Sequence, residues 1–316
     1  EGHSSIGVTS PAKTWYLAEG SSKWGFETWL LIQNPNDVEA PCTVTYMTSE
    51  EGPKTVSHTV GARSRASFSM EEDIGPADAS IMVESTVPVI PERAMYRNNR
   101  RGGHDSIGTT SPAKDYYLAE GTTDWGFTTY VLVQNPGGEP NEVRVTFMTP
   151  SGPVEYPPVT VSPRSRYTIN ANEYTPMAKK DCSIKVSGSK PLIAERAMYW
   201  DSGMGEACHD SIGMSEPHSV FYLPDGETYG GYETWTLVQN PNDAKVTVEV
   251  TYMTPDGKGN KTFTDSIPAK SRKTYTMSDH FPEGIRASVM VRSKTAGKKI
   301  MVERAMYWNS RGAGTN

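Results

Sequence analysis

Glu92-Arg93-Ala94-Met95-Tyr96 returns unchanged at Glu195 to Tyr199 and again at Glu303 to Tyr307. Other blocks return with it. Ser5-Ile6-Gly7 comes back as Ser106-Ile107-Gly108 and Ser211-Ile212-Gly213. Tyr16-Leu17-Ala18-Glu19-Gly20 comes back as Tyr117 to Gly121, then in altered form as Tyr222-Leu223-Pro224-Asp225-Gly226. Gln33-Asn34-Pro35 is repeated from Gln134 and from Gln239. A period of roughly 100 residues is too long for a solenoid unit and suits an autonomous domain. The 316 residues therefore read as three tandem domains, 1–108, 109–213 and 214–316.

Within each copy the apolar period is two. Val246, Val248, Val250 and Tyr252 alternate with Thr247, Glu249 and Thr251, and Cys42, Val44, Tyr46 and Val143, Val145, Phe147 share that face. A later strand repeats the pattern with Ala79, Ile81, Val83, with Cys182, Ile184, Val186 and with Ala287, Val289, Val291. Alternation of this kind marks strands with one wet face. Further strands are predicted over 15–18, 28–33, 54–60, 66–69 and 90–96, with turns at 48–53, 149–153 and 254–257. No stretch carries a sustained helical period. About seven strands per copy predict an all-β protein of three tandem immunoglobulin-like β-sandwich domains. The Cys…Trp…Cys hallmark of true immunoglobulin domains is absent, so only the architecture is inferred. Short linkers containing Pro112 and Pro217 are semi-stiff. The expected particle is an elongated rod on the order of 100 Å long.

Lys and Arg number 31 against 37 Asp and Glu, a net charge of −6. A nucleic-acid binder needs a surplus of cations to displace counterions, so that class is set aside. No apolar run reaches the length of a membrane span, and the first residues lack the layout of a signal peptide. His104-Asp105-Ser106 contains the residue types of a hydrolytic triad, but neighbours on an extended chain point to alternate faces. The six histidines have no ligand spacing. Neither a catalytic residue, a metal site nor a cofactor is expected. Asn34-Pro35-Asn36-Asp37 and Asn240-Pro241-Asn242-Asp243 read as Asx turns, since the second copy has Gly137-Gly138 there. Isopeptide candidates Lys13 and Lys114 lose their counterpart to His218, and Asn260-Lys261-Thr262 is the lone glycosylation sequon.

The Glu-Arg pair of each copy points both ways from its strand, so each member needs a partner elsewhere. Glu19, Glu120 and Asp225 are the candidates. Cys42 reads as a buried thiol, while Cys182 and Cys208 form a candidate disulfide at one end of the second domain. Trp24 and Trp125 share a loop position and either anchor that loop or stack on a sugar ring.

These motifs resemble a repeated domain of unknown function in secreted and cell-surface bacterial proteins. The resemblance rests on Tyr-Leu-Ala-Glu-Gly, on Thr28 to Asn36 and on Glu-Arg-Ala-Met-Tyr-Trp, and it runs through all three copies. It implies an extracellular or cell-surface location and supplies no activity.

The phase of the repeat suggests how molecules meet. After Glu-Arg-Ala-Met-Tyr a Gly-rich turn leads into His104-Asp105-Ser106-Ile107-Gly108, which reads as a strand returning to its own domain. The third copy lacks that run after Tyr307, whereas His3-Ser4-Ser5-Ile6-Gly7 has none of its own domain before it. The expectation is a head-to-tail filament or array in which His3 to Gly7 is the donor strand. The acceptor is then the edge carrying Met301, Glu303, Ala305 and Tyr307. Two other readings stay open: an excerpt of a longer array, or a run that opens the following domain. The chain is thus expected to be an extracellular structural protein whose partners are copies of itself. An adhesin or glycan-binding stalk is the alternative.

Overall fold

The β-branched and aromatic alternation is expressed as strands throughout the computed structural model, which describes residue 3 and residues 5–201, 206–255 and 258–316. Repeat 1 comprises β1 (Ala12–Leu17), β2 (Phe26–Asn34), β3 (Ala40–Thr48), β4 (Pro53–Val60), β5 (Ser64–Ser69), the single-turn α1 (Met70–Ile74), β6 (Ala79–Arg97) and β7 (Gly102–Ile107). β1 and β3 flank the first half of β6, with β4 beyond β3. β2 and β7 flank its second half, with β5 beyond β2. One long strand therefore serves both layers of an antiparallel sandwich. Trp15, Leu17, Leu30, Ile32, Val44, Tyr46, Ile81 and Val83 fill the space between the layers.

Repeat 2 follows the same plan. It has β8 (Ala113–Leu118), β9 (Phe127–Asn135), β10 (Asn141–Thr149), β11 (Gly152–Glu155), β12 (Val159–Val161), β13 (Ser165–Asn170), β14 (Ser183–Asp201) and β15 (Glu206–Ile212). Repeat 3 has β16 (Val220–Leu223), β17 (Glu233–Asn240), β18 (Val246–Met253), β19 (Lys261–Ile267), β20 (Ser271–Thr276), β21 (Ser288–Ser293), β22 (Met301–Trp308) and β23 (Ala313–Thr315). Here the long strand is divided between β21 and β22, so the two layers separate into sheets of four strands each.

The recurrent Asn of Gln-Asn-Pro is a turn staple. The Asn34 side-chain amide donates to the carbonyls of Val38, Val60 and Gly61 at 2.8, 3.1 and 2.9 Å, while its oxygen accepts from the backbone of Asn36. Asn135 and Asn240 each bind three carbonyls in the same way. Buried backbone acceptors at the sandwich end are satisfied without water.

The run after Glu-Arg-Ala-Met-Tyr pairs with the repeat before it: Ser106 lies opposite Arg93, and Ser211 opposite Arg196. The expectation that repeat 3 has no returning strand is corrected. β23 places Ala313, Gly314 and Thr315 opposite Trp308, Tyr307 and Met306. The cause is local. Asn309, Ser310 and Arg311 adopt left-handed φ of 53°, 53° and 63°, like Asn98, Asn99 and Arg100 at 49°, 56° and 62°, and reverse the chain at the same point. Tyr307, expected as an open acceptor, is already paired with Gly314, and the rungs of β23 end at Met306. Met301, Glu303 and Ala305 pair with β17 on their other side.

The candidate disulfide is corrected too. Cys182 packs inside repeat 2 with Ile184 and Val186, whereas Cys208 lies opposite Tyr199 in an outer cluster with Leu132 and Ala197, and no bond joins them. One thiol faces into the sandwich and the other out of it. Cys42 is buried in the core of repeat 1.

Candidate functional site: the junctions between repeats

The two residues of the Glu-Arg pair face opposite neighbours. On β14, Glu195, Ala197 and Tyr199 look back to repeat 1, while Arg196, Met198 and Trp200 look forward to repeat 3. Period-two geometry thus makes one strand a connector with two working faces.

At the first junction the guanidinium of Arg93 is wholly buried and donates to Glu19 at 2.8 Å, to Glu195 at 3.0 Å and to Asp210. Glu19 belongs to the same repeat as Arg93; the other two come from repeat 2. The Tyr199 hydroxyl donates to Glu19 at 3.0 Å, and His104 bridges Tyr199 at 2.9 Å and Asp210 at 3.3 Å. Burial opposes the charge on Arg93, but Glu195, Asp210 and Glu19 hold it protonated. Burial also raises the Glu195 carboxyl well above its ordinary range, with Asp210 adding to the effect. Asp210 moves the other way: despite burial, His104 and Arg93 hold it far below its usual value. The paired carboxylates therefore differ in proton affinity, and Arg93 bonds to both.

A second group of contacts reads the neighbour's backbone carbonyls. Arg166 donates to the carbonyl of Gly20 at 2.6 Å, Gln134 to that of Ile81 at 3.1 Å, and Ser165 to that of Thr48 at 3.0 Å. The second junction repeats all three. Arg272 reaches Gly121 at 3.1 Å and Cys182 at 2.7 Å, Gln239 reaches Ile184 at 3.1 Å, and Ser271 reaches Thr149 at 3.1 Å. There Arg196 meets Glu303 at 3.0 Å and Glu120 at 3.3 Å, and the Tyr307 hydroxyl donates to Glu120 at 2.9 Å. Arg196 also donates to His209 at 2.9 Å; burial and that guanidinium lower the imidazole well below its ordinary value. Burial raises Glu120.

Glu19, His104 and Asp210 bring ligand-type atoms within 4.8 Å of one another. The guanidinium of Arg93 donates to both carboxylates of that trio and holds the place a cation would take. The residues of the His-Asp-Ser sequence do not converge: His104 turns to Tyr199, Asp105 accepts from His3, and Ser106 lies on the rung of Arg93. The chemistry of the junction is charge neutralisation and geometric locking.

The N-terminal run lies on the outer end of repeat 1. His3 meets Asp105 at 2.6 Å, with its ring 5.6 Å from Tyr96. His104 stands on Asp210 and Tyr199 of repeat 2 in the same manner, its ring 5.7 Å from that tyrosine. Ile6 is 88% exposed. Ser4 lies outside the described residues. Gly7 adjoins no other group within 4 Å of where its Cβ would be.

With this geometry in hand, a family can be matched. Residues 103–194 match the model of a family of unknown function, DUF5719. The matched segment begins on β7 and ends within β14, one residue before Glu195. No curated protein matches the chain. Among solved structures, Thermotoga maritima 1070 is similar at 21% identity, with 32% of this chain and 96% of that one covered and a TM-score of 0.29. The Anabaena sensory rhodopsin transducer is similar at 25% identity, covering 27% of this chain and 83% of that one, with a TM-score of 0.24. No helix among the described residues is long and apolar enough to cross a membrane.

Trp24 and Trp125 do not anchor their loops: they are 76% and 68% exposed, on left-handed backbone with φ of 53° and 60°. Each stands at the lip of a groove between repeats. Trp24 shares a groove of about 730 Å³ with Phe26, Tyr130 and Arg166; Trp125 shares one of about 260 Å³ with Phe127, Trp235 and Arg272. The recurrent Ser-Arg at 64–65, 165–166 and 271–272 was a sequence signal for the backbone-reading contacts. Its targets are carbonyls, which leave no residue signature.

Proposed function

We propose that the protein is a non-catalytic structural element of an extracellular surface filament or array, continued head to tail from one molecule to the next. Its buried junctions act as stiff couplings, and the N-terminal run of one molecule completes repeat 3 of another. The observation that carries this reading is the seat of His3 on Asp105 and Tyr96, which matches that of His104 on Asp210 and Tyr199. The register limits the completion. Ser106 and Ile107 lie opposite Arg93 and Glu92, so Ser5 and Ile6 would fall opposite Arg304 and Glu303, beyond Thr315, while His3 would fall opposite Met306 and displace Thr315 from that rung. Strand addition of that kind satisfies open backbone groups on an edge.

Negative-stain electron microscopy of the intact chain beside a variant lacking residues 1–7 tests this. Filaments from the intact chain that disappear in the variant are expected. Single rods from both would refute it. Labelling of intact cells with an impermeant reagent tests the extracellular location: a chain protected from the reagent would contradict it.

A second reading, a glycan-binding stalk, is favoured by the exposure of Trp24 and Trp125 at the lips of two similar grooves. Aromatic faces of this kind suit the apolar face of a sugar ring. Glycan binding that is lost in Trp24→Ala and Trp125→Ala would support it; no binding to a broad glycan panel would remove it.

A further inference from the structure

The same three residue types that lock each junction also stand on repeat 1, where no repeat of this chain covers them. Gln134, Ser165 and Arg166 are 0%, 5% and 6% exposed, and Gln239, Ser271 and Arg272 are 0%, 1% and 4% exposed. Their counterparts Gln33, Ser64 and Arg65 are all exposed. They border a concavity of about 570 Å³ whose lining includes Leu31, Pro35, Ile90 and Glu92. In repeats 2 and 3 this trio also bonds to carbonyls of the preceding repeat, whereas in repeat 1 Ser64 donates to the carbonyl of Gly61 and Arg65 to Ser67.

The charges repeat the pattern. Glu195 and Asp210 receive Arg93 from the repeat before them. Glu92 and Asp105 hold the equivalent positions on repeat 1, where burial and then Asp105 push the Glu92 carboxyl up to about 7. At the other end of the chain, Arg304 reaches Asp225 at 3.4 Å, and the Asp225 side chain is 72% exposed. These are the positions of Arg93 and Glu19.

We infer that the end of repeat 1 carrying Gln33, Ser64, Arg65, Glu92, Tyr96 and Asp105 is a docking surface for repeat 3 of a second copy of this chain. The inference rests on the head-to-tail reading above and gives it an interface. By the register of the two existing junctions, Arg65 donates to the carbonyl of Gly226, Gln33 to that of Val289 and Ser64 to that of Thr254. Arg304 donates to Glu92 and Asp105, and the Tyr96 hydroxyl to Asp225. Repeat 3 carries Thr315 on the rung that His104 and His209 occupy. His3, already seated on Asp105 and Tyr96 of the partner copy, supplies that imidazole once Thr315 has left the rung. Pro224 stands where Ala119 donates its amide to Glu303, so at this junction the amide of Asp225 takes the part that the Glu19 amide plays toward Glu195.

The test is sedimentation velocity over a wide concentration range on the intact chain, Arg65→Glu, Asp225→Arg and an equimolar mixture of the two variants. Both substituted side chains are exposed, and unchanged thermal melts verify that each variant folds. The intact chain is expected to give a ladder of oligomers. Each variant alone should associate about thirtyfold or more weakly, because a charge in a closed junction is left facing its like. The mixture should associate again, since it retains one working head and one working tail and the two exchanged charges are opposite at the other joint. Oligomers undiminished in both variants would overturn this surface while leaving the head-to-tail reading in place. An intact chain that stays monomeric at every concentration would overturn both.

Discussion

The two junctions share a frame and differ in what fills it. At the first, Arg93 gathers three carboxylates, and Arg97 lies 5.5 and 5.1 Å from the rings of Phe26 and Tyr199 while pairing with Glu206 at 3.1 Å. At the second, Asn316 stands where Asp210 would, and Arg196 has Glu120, Glu303 and His209 as partners. Trp200 replaces Arg97 and joins Phe127, Leu237 and Tyr307 in an apolar cluster, its indole donating to the carbonyl of Arg311. The contacts from Arg, Gln and Ser to backbone carbonyls are the same at both. Backbone targets survive any change of side chain, so they fix how repeats sit, and the centre is free to trade charge for apolar area.

The comparison breaks most readily at its arginines. Arg93→Met leaves buried carboxylates uncompensated and should cost about 3–5 kcal/mol in urea unfolding. Arg196→Met should cost less, because Asn316 stands in the place of the ionised Asp210 and the surrounding cluster is apolar. Equal losses would mean that the two centres do not differ in kind. Next in size, Arg166→Ala should cost about 1.5–3 kcal/mol through its lost charged hydrogen bond. Arg65→Ala, measured at a dilution where the chain is monomeric, should stay within about 0.5 kcal/mol.

A third effect is pH-dependent. His209 is held neutral in the fold by burial and Arg196, so the unfolded chain takes up its proton first as pH falls. Stability from this group is present above about 6.5 and is lost below it, at up to about 1.4 kcal/mol per pH unit. Glu120 works in the opposite direction, since its raised carboxyl takes up a proton in the fold first. The difference between the intact chain and His209→Gln isolates the histidine, and parallel pH profiles would exclude it as the source. The smallest effect is at the lips of the grooves. Trp24→Ala and Trp125→Ala should change unfolding stability by less than about 0.5 kcal/mol, because exposed rings contribute little to the cores. A loss above that would mean the rings pack more closely than their exposure indicates.

Much of the sandwich could be read from alternation: the inward faces of β3, β10 and β18, the Asx turns and the returning strand after Tyr96 all follow from residue spacing. Continuity of β6 and β14 could not, because Pro88 and Pro191 punctuate what is one strand serving two sheets. The Glu-Arg parity and the partnership of Arg93 with Glu19 were visible in the repeat. That Glu195 and Asp210 complete the set from the next repeat was not, since nothing in a linear sequence says which faces of tandem units meet. The left-handed backbone that turns Trp24 and Trp125 outward also leaves no trace in residue type, beyond the Gly25 and Gly126 that follow them.

Cryo-electron microscopy of the assembled protein tests the central claim most directly, by comparing the spacing between successive repeats within and between molecules. Docking of repeat 3 onto repeat 1 through the junction already used twice predicts one uniform spacing, with Arg304 beside Glu92 and Asp105 at the joint between molecules. A different spacing or rotation at that joint, or only single three-repeat particles in the field, would contradict it.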